Sequence, residues 1–363
     1  MKSIDEQNSA PALQSTCGCC TPRRKFLSAL GGLGAGSMLL PGRVFAQPKA
    51  AKARAPARRI DVHHHFAPPF YAAEAKAAGY TFGLPWTLEG TLDDMEKGGV
   101  AKSIISISQP STWIKDEAKA RSLVREANEY GAKMRVDDPK RFGVFTMLPM
   151  PDIAGSLAEI EYGLDTLKSD GIGMFTSYGN LWLGDPALRP VLEELNRRKA
   201  LVYVHPSSPA CCTGLQAGID ASTIEFATDT TRTIASLLFS GSANRFPDIR
   251  WIWSHSGGTM PYLFSRFERQ EELMKGKAKE VLPRGSLYEL KRFYYETAQG
   301  NTAMQLSAIL KMIPVSNLLF GSDYPYRPAS MCAEGLAAYG FKPADLRSIE
   351  YENAFRLMPQ LKA

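Results

Sequence analysis

The sequence predicts an α/β fold, a (β/α)8 TIM barrel with a small insertion after its first strand and a cleavable leader ahead of it. Three observations point there. Eight short apolar, β-branched or aromatic runs alternate with helical patterns. The repeating part runs from Arg59 to the end of the chain, which suits a barrel of about 250 residues carrying one or two insertions. All five histidines of the 363 residues fall at the ends of those runs. An open doubly wound sheet is the rival, but no Gly-x-Gly-x-x-Gly follows the first run.

The first segment reads as an address. Thr21-Pro22-Arg23-Arg24-Lys25-Phe26-Leu27 sets paired arginines before an apolar stretch, Phe26 to Leu40, and Val44-Phe45-Ala46 offers small residues to a signal peptidase. Residues 1–46 thus resemble a twin-arginine signal peptide, which places the mature protein in the periplasm. The stretch is shorter than the about 20 residues that span a bilayer, and Gly31, Gly32, Gly34 and Gly36 interrupt it. No membrane span is expected in the mature form. Residues 47–58 form a basic, Ala/Pro-rich linker, and 59–363 form the barrel.

Charge and cysteines exclude other classes. The net charge of +6 comes from 43 basic and 37 acidic residues, but ten of the basic residues lie before residue 60, and the remainder carries 33 basic against 35 acidic. A nucleic-acid binder carries its positive charge on the folded surface, so that class is set aside. Cys17, Cys19 and Cys20 leave with the leader, and Cys211, Cys212 and Cys332 are too few for a disulfide framework.

The predicted strands are Ile60–Phe66, Ser103–Ser108, Phe142–Leu148, Gly171–Ser177, Leu201–Val204, Trp251–Ser254, Phe293–Tyr295 and Leu318–Gly321. Helical spacing predicts helices over Ala118–Met134, Ala154–Lys168, Pro186–Arg198, Thr223–Phe239 and Thr302–Met312. Residues 67–90, rich in Pro and aromatics, read as a lid of loop and short helices over the barrel mouth.

Active sites of such barrels form where the strands end. His63, His64 and His65 end the first strand, His205 follows the fifth, His255 the sixth, and Asp323 ends the eighth, which neighbours the first in a closed barrel. Strand alternation sends His63 and His65 to one side and His64 to the other. Three imidazoles and a carboxylate from His63, His65, His205 and Asp323 suit one divalent ion, zinc or else manganese, with a position open for water or substrate. His255 is a proton-transfer or substrate-orienting candidate, and Asp323 shares the catalytic work. Glu296 reads as a second proton donor or a fold-stabilising carboxylate.

Ile60-Asp61-Val62-His63-His64-His65-Phe66-Ala67-Pro68, Val204-His205-Pro206, Ser254-His255-Ser256-Gly257-Gly258 and Gly321-Ser322-Asp323-Tyr324-Pro325 resemble the signature strands of the amidohydrolase superfamily. The resemblance is nearest the branch of aminocarboxymuconate-semialdehyde, γ-resorcylate and 6-methylsalicylate decarboxylases. It implies that His63, His65, His205 and Asp323 are ligands and His255 the catalytic histidine. The fourth strand, Gly171 to Tyr178, has no Lys or Glu to bridge a second metal, so the resemblance implies one. It also implies that Arg266 reaches the substrate carboxylate of an adjacent subunit in a homodimer. A second arginine of that branch is replaced here around Thr91, which favours a smaller or more apolar acid.

Trp86, Trp113 and Phe175, with Phe66, Phe70, Tyr178, Tyr295 and Tyr324, stand near strand ends or in the lid and suit contact with a flat acid. The function expected is metal-dependent nonoxidative decarboxylation of a small aromatic or dienoic carboxylic acid. The alternative uses the same residues to make a metal-dependent hydrolase, a metal-bound water attacking an ester, lactone or amide.

Overall fold

Ten strands are present: β1 (Arg59–His65), β2 (Val100–Ser106), β3 (Phe142–Met147), β4 (Gly171–Phe175), β5 (Ser177–Tyr178), β6 (Leu181–Trp182), β7 (Leu201–His205), β8 (Arg250–Trp253), β9 (Tyr294–Glu296) and β10 (Leu318–Leu319). The computed structural model describes residues 58–77, 86–108, 116–212, 214 and 218–362. The leader, all of the linker but Arg58, and Trp113 lie outside the described residues. Among those described, no helix is long and apolar enough to cross a membrane.

Eight strands form one parallel sheet in the order β1-β2-β3-β4-β7-β8-β9-β10. Its two edges meet. Val62 N donates to Phe320 O at 3.0 Å, Asp323 N to His63 O at 2.8 Å and His65 N to Tyr324 O at 2.7 Å. The sheet therefore wraps into a barrel, with the chain after β10 completing the last stave. Ile60, Val62, Ile104, Phe145, Leu201, Tyr203, Ile252 and Leu319 form one apolar cluster with Ala354, Leu357, Met358 and Leu361, so the end of the chain stops the barrel's far side. A larger cluster fills the layer between strands and helices.

The helices follow local signals. Glu117–Asp137 starts where Asp116 accepts from Lys119 N, and its buried Ala120, Leu123, Val124, Ala127 and Gly131 repeat at helical spacing. Ala303–Leu310 is opened by a Thr302/Gln305 capping box. Three further helices of the expected strand–helix alternation, whose bounds were not predicted from the sequence, are Leu88–Gly98, Met260–Met274 and Ala329–Tyr339. Their apolar faces are narrow; Met260–Met274 buries only Met260 and Phe267. Within the expected lid, Pro69–Ala77 is helical.

Two predicted elements are corrected. The strand expected over Gly171–Ser177 ends at Phe175, and Ser177–Tyr178 instead turns into a hairpin with Leu181–Trp182. Buried Asp229 is the reason: it accepts from the Ser177 hydroxyl at 2.8 Å and from Trp182 Nε1 at 2.7 Å, drawing the chain off the barrel. The helix expected over Ala154–Lys168 keeps α geometry only from Ile153 to Glu161 and widens into a π turn over Tyr162–Thr166.

The seam depends on Asp61, which is fully buried. It accepts from His63 N at 3.0 Å, Ser322 N at 3.0 Å, Ser322 Oγ at 2.5 Å and His64 Nδ1 at 3.2 Å. Asp61→Ala strands those donors in a dry seam, at about 1–3 kcal/mol for each unpaired group. Urea unfolding is expected to show a loss of at least about 3 kcal/mol, with Asp61→Asn losing less because it keeps one acceptor oxygen.

Candidate metal centre

The ends of β1 and β7 and the segment after β10 bring four side chains together. Ligand atoms of His63, His65, His205 and Asp323 all lie within 4.8 Å of one another, and all four residues are buried. His63 Nε2 and His65 Nε2 stand 3.0 and 3.1 Å from Asp323 Oδ1, and 2.9 Å from each other. The register of β1 against β2 slips between Asp61 and His64, and both outer histidines face the cluster. His64 turns the other way, against Tyr324, with ring centroids 4.7 Å apart.

The opposite nitrogens decide what these imidazoles present. His63 Nδ1 faces Glu296 Oε1 at 2.9 Å, His65 Nδ1 faces Ser106 O at 3.2 Å, and His205 Nδ1 faces Pro206 O at 2.8 Å. Each partner only accepts, so each Nδ1 carries the hydrogen and each Nε2 offers a lone pair. Lone pairs this close, beside a carboxylate, require a positive charge among them. In a protein bearing only protons that charge falls on His63. Burial lowers its basicity, but Asp323 and Glu296 outweigh burial and raise its pKa to about 10. Burial lowers His65 to about 4 despite its bond to Asp323. His205 is held well below its ordinary value by burial and by His65 and His63. Burial works to raise Asp323, yet His63 and the bonds from His255, His63 and His65 hold it well below the usual carboxylate range. Three nitrogens and one oxygen also form a donor set suited to a divalent ion, so the residues present fit a metal.

His255 Nε2 lies 3.3 Å from Asp323 Oδ2, with a tenth of its side chain exposed. Gln299 Nε2 donates to the same oxygen. His255, Gln299 and Asp323 hold φ of +52°, +46° and +69°, left-handed conformations costing about 1–3 kcal/mol each. Gly257 and Gly258 continue the turn at +77° and +66°, and a Cβ on Gly258 would come 2.1 Å from Ala227 O. Glu296, fully buried, ties the pieces together, accepting from His255 N at 2.7 Å and Ala298 N at 2.5 Å as well as from His63. A positioning carboxylate is thus its role in this geometry, and a proton donor is not: both its oxygens serve as acceptors.

A cavity of ≈ 250 Å³ opens on Asp323 and His205, lined also by Ser108, Asp220, Ser222, Phe226, Gln299, Tyr326 and Arg327. Sequence reasoning missed Gln299, Phe226, Tyr326 and Arg327. Tyr326 and Arg327 had a usable signal, since they come three and four residues after Asp323 at a strand end. Phe175 closes the cluster from β4, its ring 5.9 Å from that of His205. Trp86 is not in the cavity. Its ring packs on Phe66 and Tyr130 at 6.3 and 6.2 Å in the layer behind the barrel, because Phe66 points opposite to His65. Tyr295 is likewise core, its hydroxyl donating to Leu290 O. Arg266 lies on the exposed face of Met260–Met274 and does not line this chain's cavity.

Barrel and cluster together define an α/β barrel with a candidate metal site at its strand ends. The amidohydrolase family profile matches residues 60–359. The chain is 34% identical over 318 residues to 6-methylsalicylic acid decarboxylase of Penicillium expansum, covering 84% of this chain and 97% of that protein. It is 34% identical over 328 residues to the decarboxylase yanB of Aspergillus niger, covering 84% and 88%. A dihydroxybenzoic acid decarboxylase from Polaromonas sp. JS666, solved with bound manganese and 2-nitroresorcinol, superposes with a TM-score of 0.74 at 22% identity, covering 84% and 98%. The chain belongs to the amidohydrolase family and is an enzyme of its decarboxylase branch.

Replacing Glu296 by Gln lets an amide donate toward His63 Nδ1 and frees the tautomer. Competition against a chromophoric chelator is expected to show divalent-ion affinity falling about 10–100-fold.

Proposed function

We propose that this protein is a divalent-ion-dependent, nonoxidative decarboxylase of a small aromatic acid with an oxygen substituent beside the carboxylate. The single observation that carries the reading is the convergence of three Nε2 lone pairs on Asp323, with His255 at that carboxylate's other oxygen. Relatives named as decarboxylases of 6-methylsalicylic acid supply the substrate class. His63, His65, His205 and Asp323 would hold the ion, zinc or manganese. Once bound, such an ion supplies a template and Lewis acidity for the carboxylate and neighbouring oxygen.

The chain's own residues do the rest. Phe226 and Tyr326 line the cavity that takes the ring, and Phe175 excludes water behind His205. His255, a tenth exposed and in contact with the cavity-lining Asp323, delivers a proton to the ring carbon that bears the carboxylate. The carbon–carbon bond then breaks, carbon dioxide leaves and aromaticity returns, so one proton enters and no oxidant is used. Gln299 keeps the Asp323 carboxylate turned toward His255.

The test is carbon dioxide release from 6-methylsalicylate and 2,6-dihydroxybenzoate, run beside hydrolysis of aryl esters and lactones. Release from a hydroxybenzoate that stops after chelation and returns with zinc or manganese supports the proposal; ester or lactone hydrolysis without carbon dioxide overturns it. His255→Asn is expected to lower kcat by about 10²–10⁴-fold while the protein keeps its metal content by elemental analysis. Export belongs to the same reading: protein recovered from a periplasmic extract should begin at Gln47 on N-terminal sequencing.

A further inference from the structure

Among the described residues, Arg327 is the only arginine or lysine lining the cavity at Asp323. It also borders a second cavity of ≈ 270 Å³, beside Gln299 and Ser322. Its backbone is fixed: Tyr326 N and Arg327 N donate to Asp323 O at 2.9 and 3.2 Å, which ties the residue to the acid by one tight turn. Its guanidinium is not. Arg59, Arg121, Arg125, Arg141 and Arg198 are all paired with carboxylates. Arg327 makes no ion pair and no side-chain hydrogen bond among the described residues. Residues 78–85, 109–115, 213 and 215–217 contain no Asp or Glu that could be its partner. Asp220, the other acid of the cavity besides Asp323, already accepts from Ser222 N at 2.8 Å.

An unpaired guanidinium at the mouth of a cleft with apolar walls draws anions inward and offers a carboxylate two parallel hydrogen bonds. We propose that Arg327 is the anion-recognition residue of this cavity, taking the carboxylate of the incoming aromatic acid and selecting acids over their neutral amides and esters. The inference rests on the reading of this cavity as the substrate site and deepens it. The contact is made in the ground state and is lost as the carboxylate departs, so it serves capture and not the chemical step.

The experiment is calorimetric binding to the full, manganese-loaded chain with two unreactive probes, 2-nitrobenzoate and its neutral isostere 2-nitrobenzamide. Arg327→Gln is expected to weaken benzoate binding about tenfold or more, equivalent to about 1.4 kcal/mol, and to leave amide binding within about twofold. Arg327→Lys should recover part of the loss, because it keeps the charge without the planar fork. Metal content and melting temperature equal to wild type show that the variant is folded and loaded. Equal losses for both probes, no loss for the benzoate, or no benzoate binding by the wild type overturns the proposal. Arg327-dependent benzoate binding by a protein that releases no carbon dioxide would sink the decarboxylase reading and leave this one standing. Carbon dioxide release whose KM is unchanged in Arg327→Gln would do the reverse.

Discussion

The structure is organised around a repulsion. Three imidazole lone pairs and a carboxylate are pressed into one dry space at the end of the barrel, and none can withdraw because each is held from behind. Glu296, Ser106 O and Pro206 O fix the hydrogens on the far nitrogens, so the near ones have nothing to donate. Such a group of acceptors is stable only around positive charge. A proton on His63 answers that need in part; a divalent ion, which the donor set fits, would answer it more fully.

The backbone bears a cost for this arrangement. His255, Gln299 and Asp323 adopt left-handed conformations that their side chains disfavour, and all three stand at Asp323 Oδ2 or carry it. The surrounding fold must over-determine them. It does so through Glu296, which holds the His255 amide and the His63 ring at once, and through Asp61, which binds both edges of the sheet. Stability and site geometry are here carried by the same buried carboxylates.

Much of this was legible in the sequence, and the reason is scarcity. With five histidines in the chain and each near a strand end, the convergence of His63, His65, His205 and Asp323 followed from barrel topology alone. Aromatic residues were less informative. Trp86 and Phe175 both stand in apolar company, and only the direction of the neighbouring strand residue sends one to the outer layer and the other to His205. Gln299 was invisible for a different cause: its reach to Asp323 depends on a left-handed backbone that no residue type announces. The bounds of the helix Met260–Met274 were not legible because a sheet already apolar on its outer face needs only two buried side chains to seat it.

The seam also sets an order of assembly. Asp61 and Ser322 meet across 261 positions of sequence, and the far side of the barrel is stopped by residues near the end of the chain, up to Leu361. Contacts so distant close slowly, because chain entropy must be lost before they are gained. His63 and Asp323 sit on opposite sides of that seam and so come together only when the ring shuts. A divalent ion held by these residues would therefore find its cage only after the seam has closed: before that, its two halves are strangers.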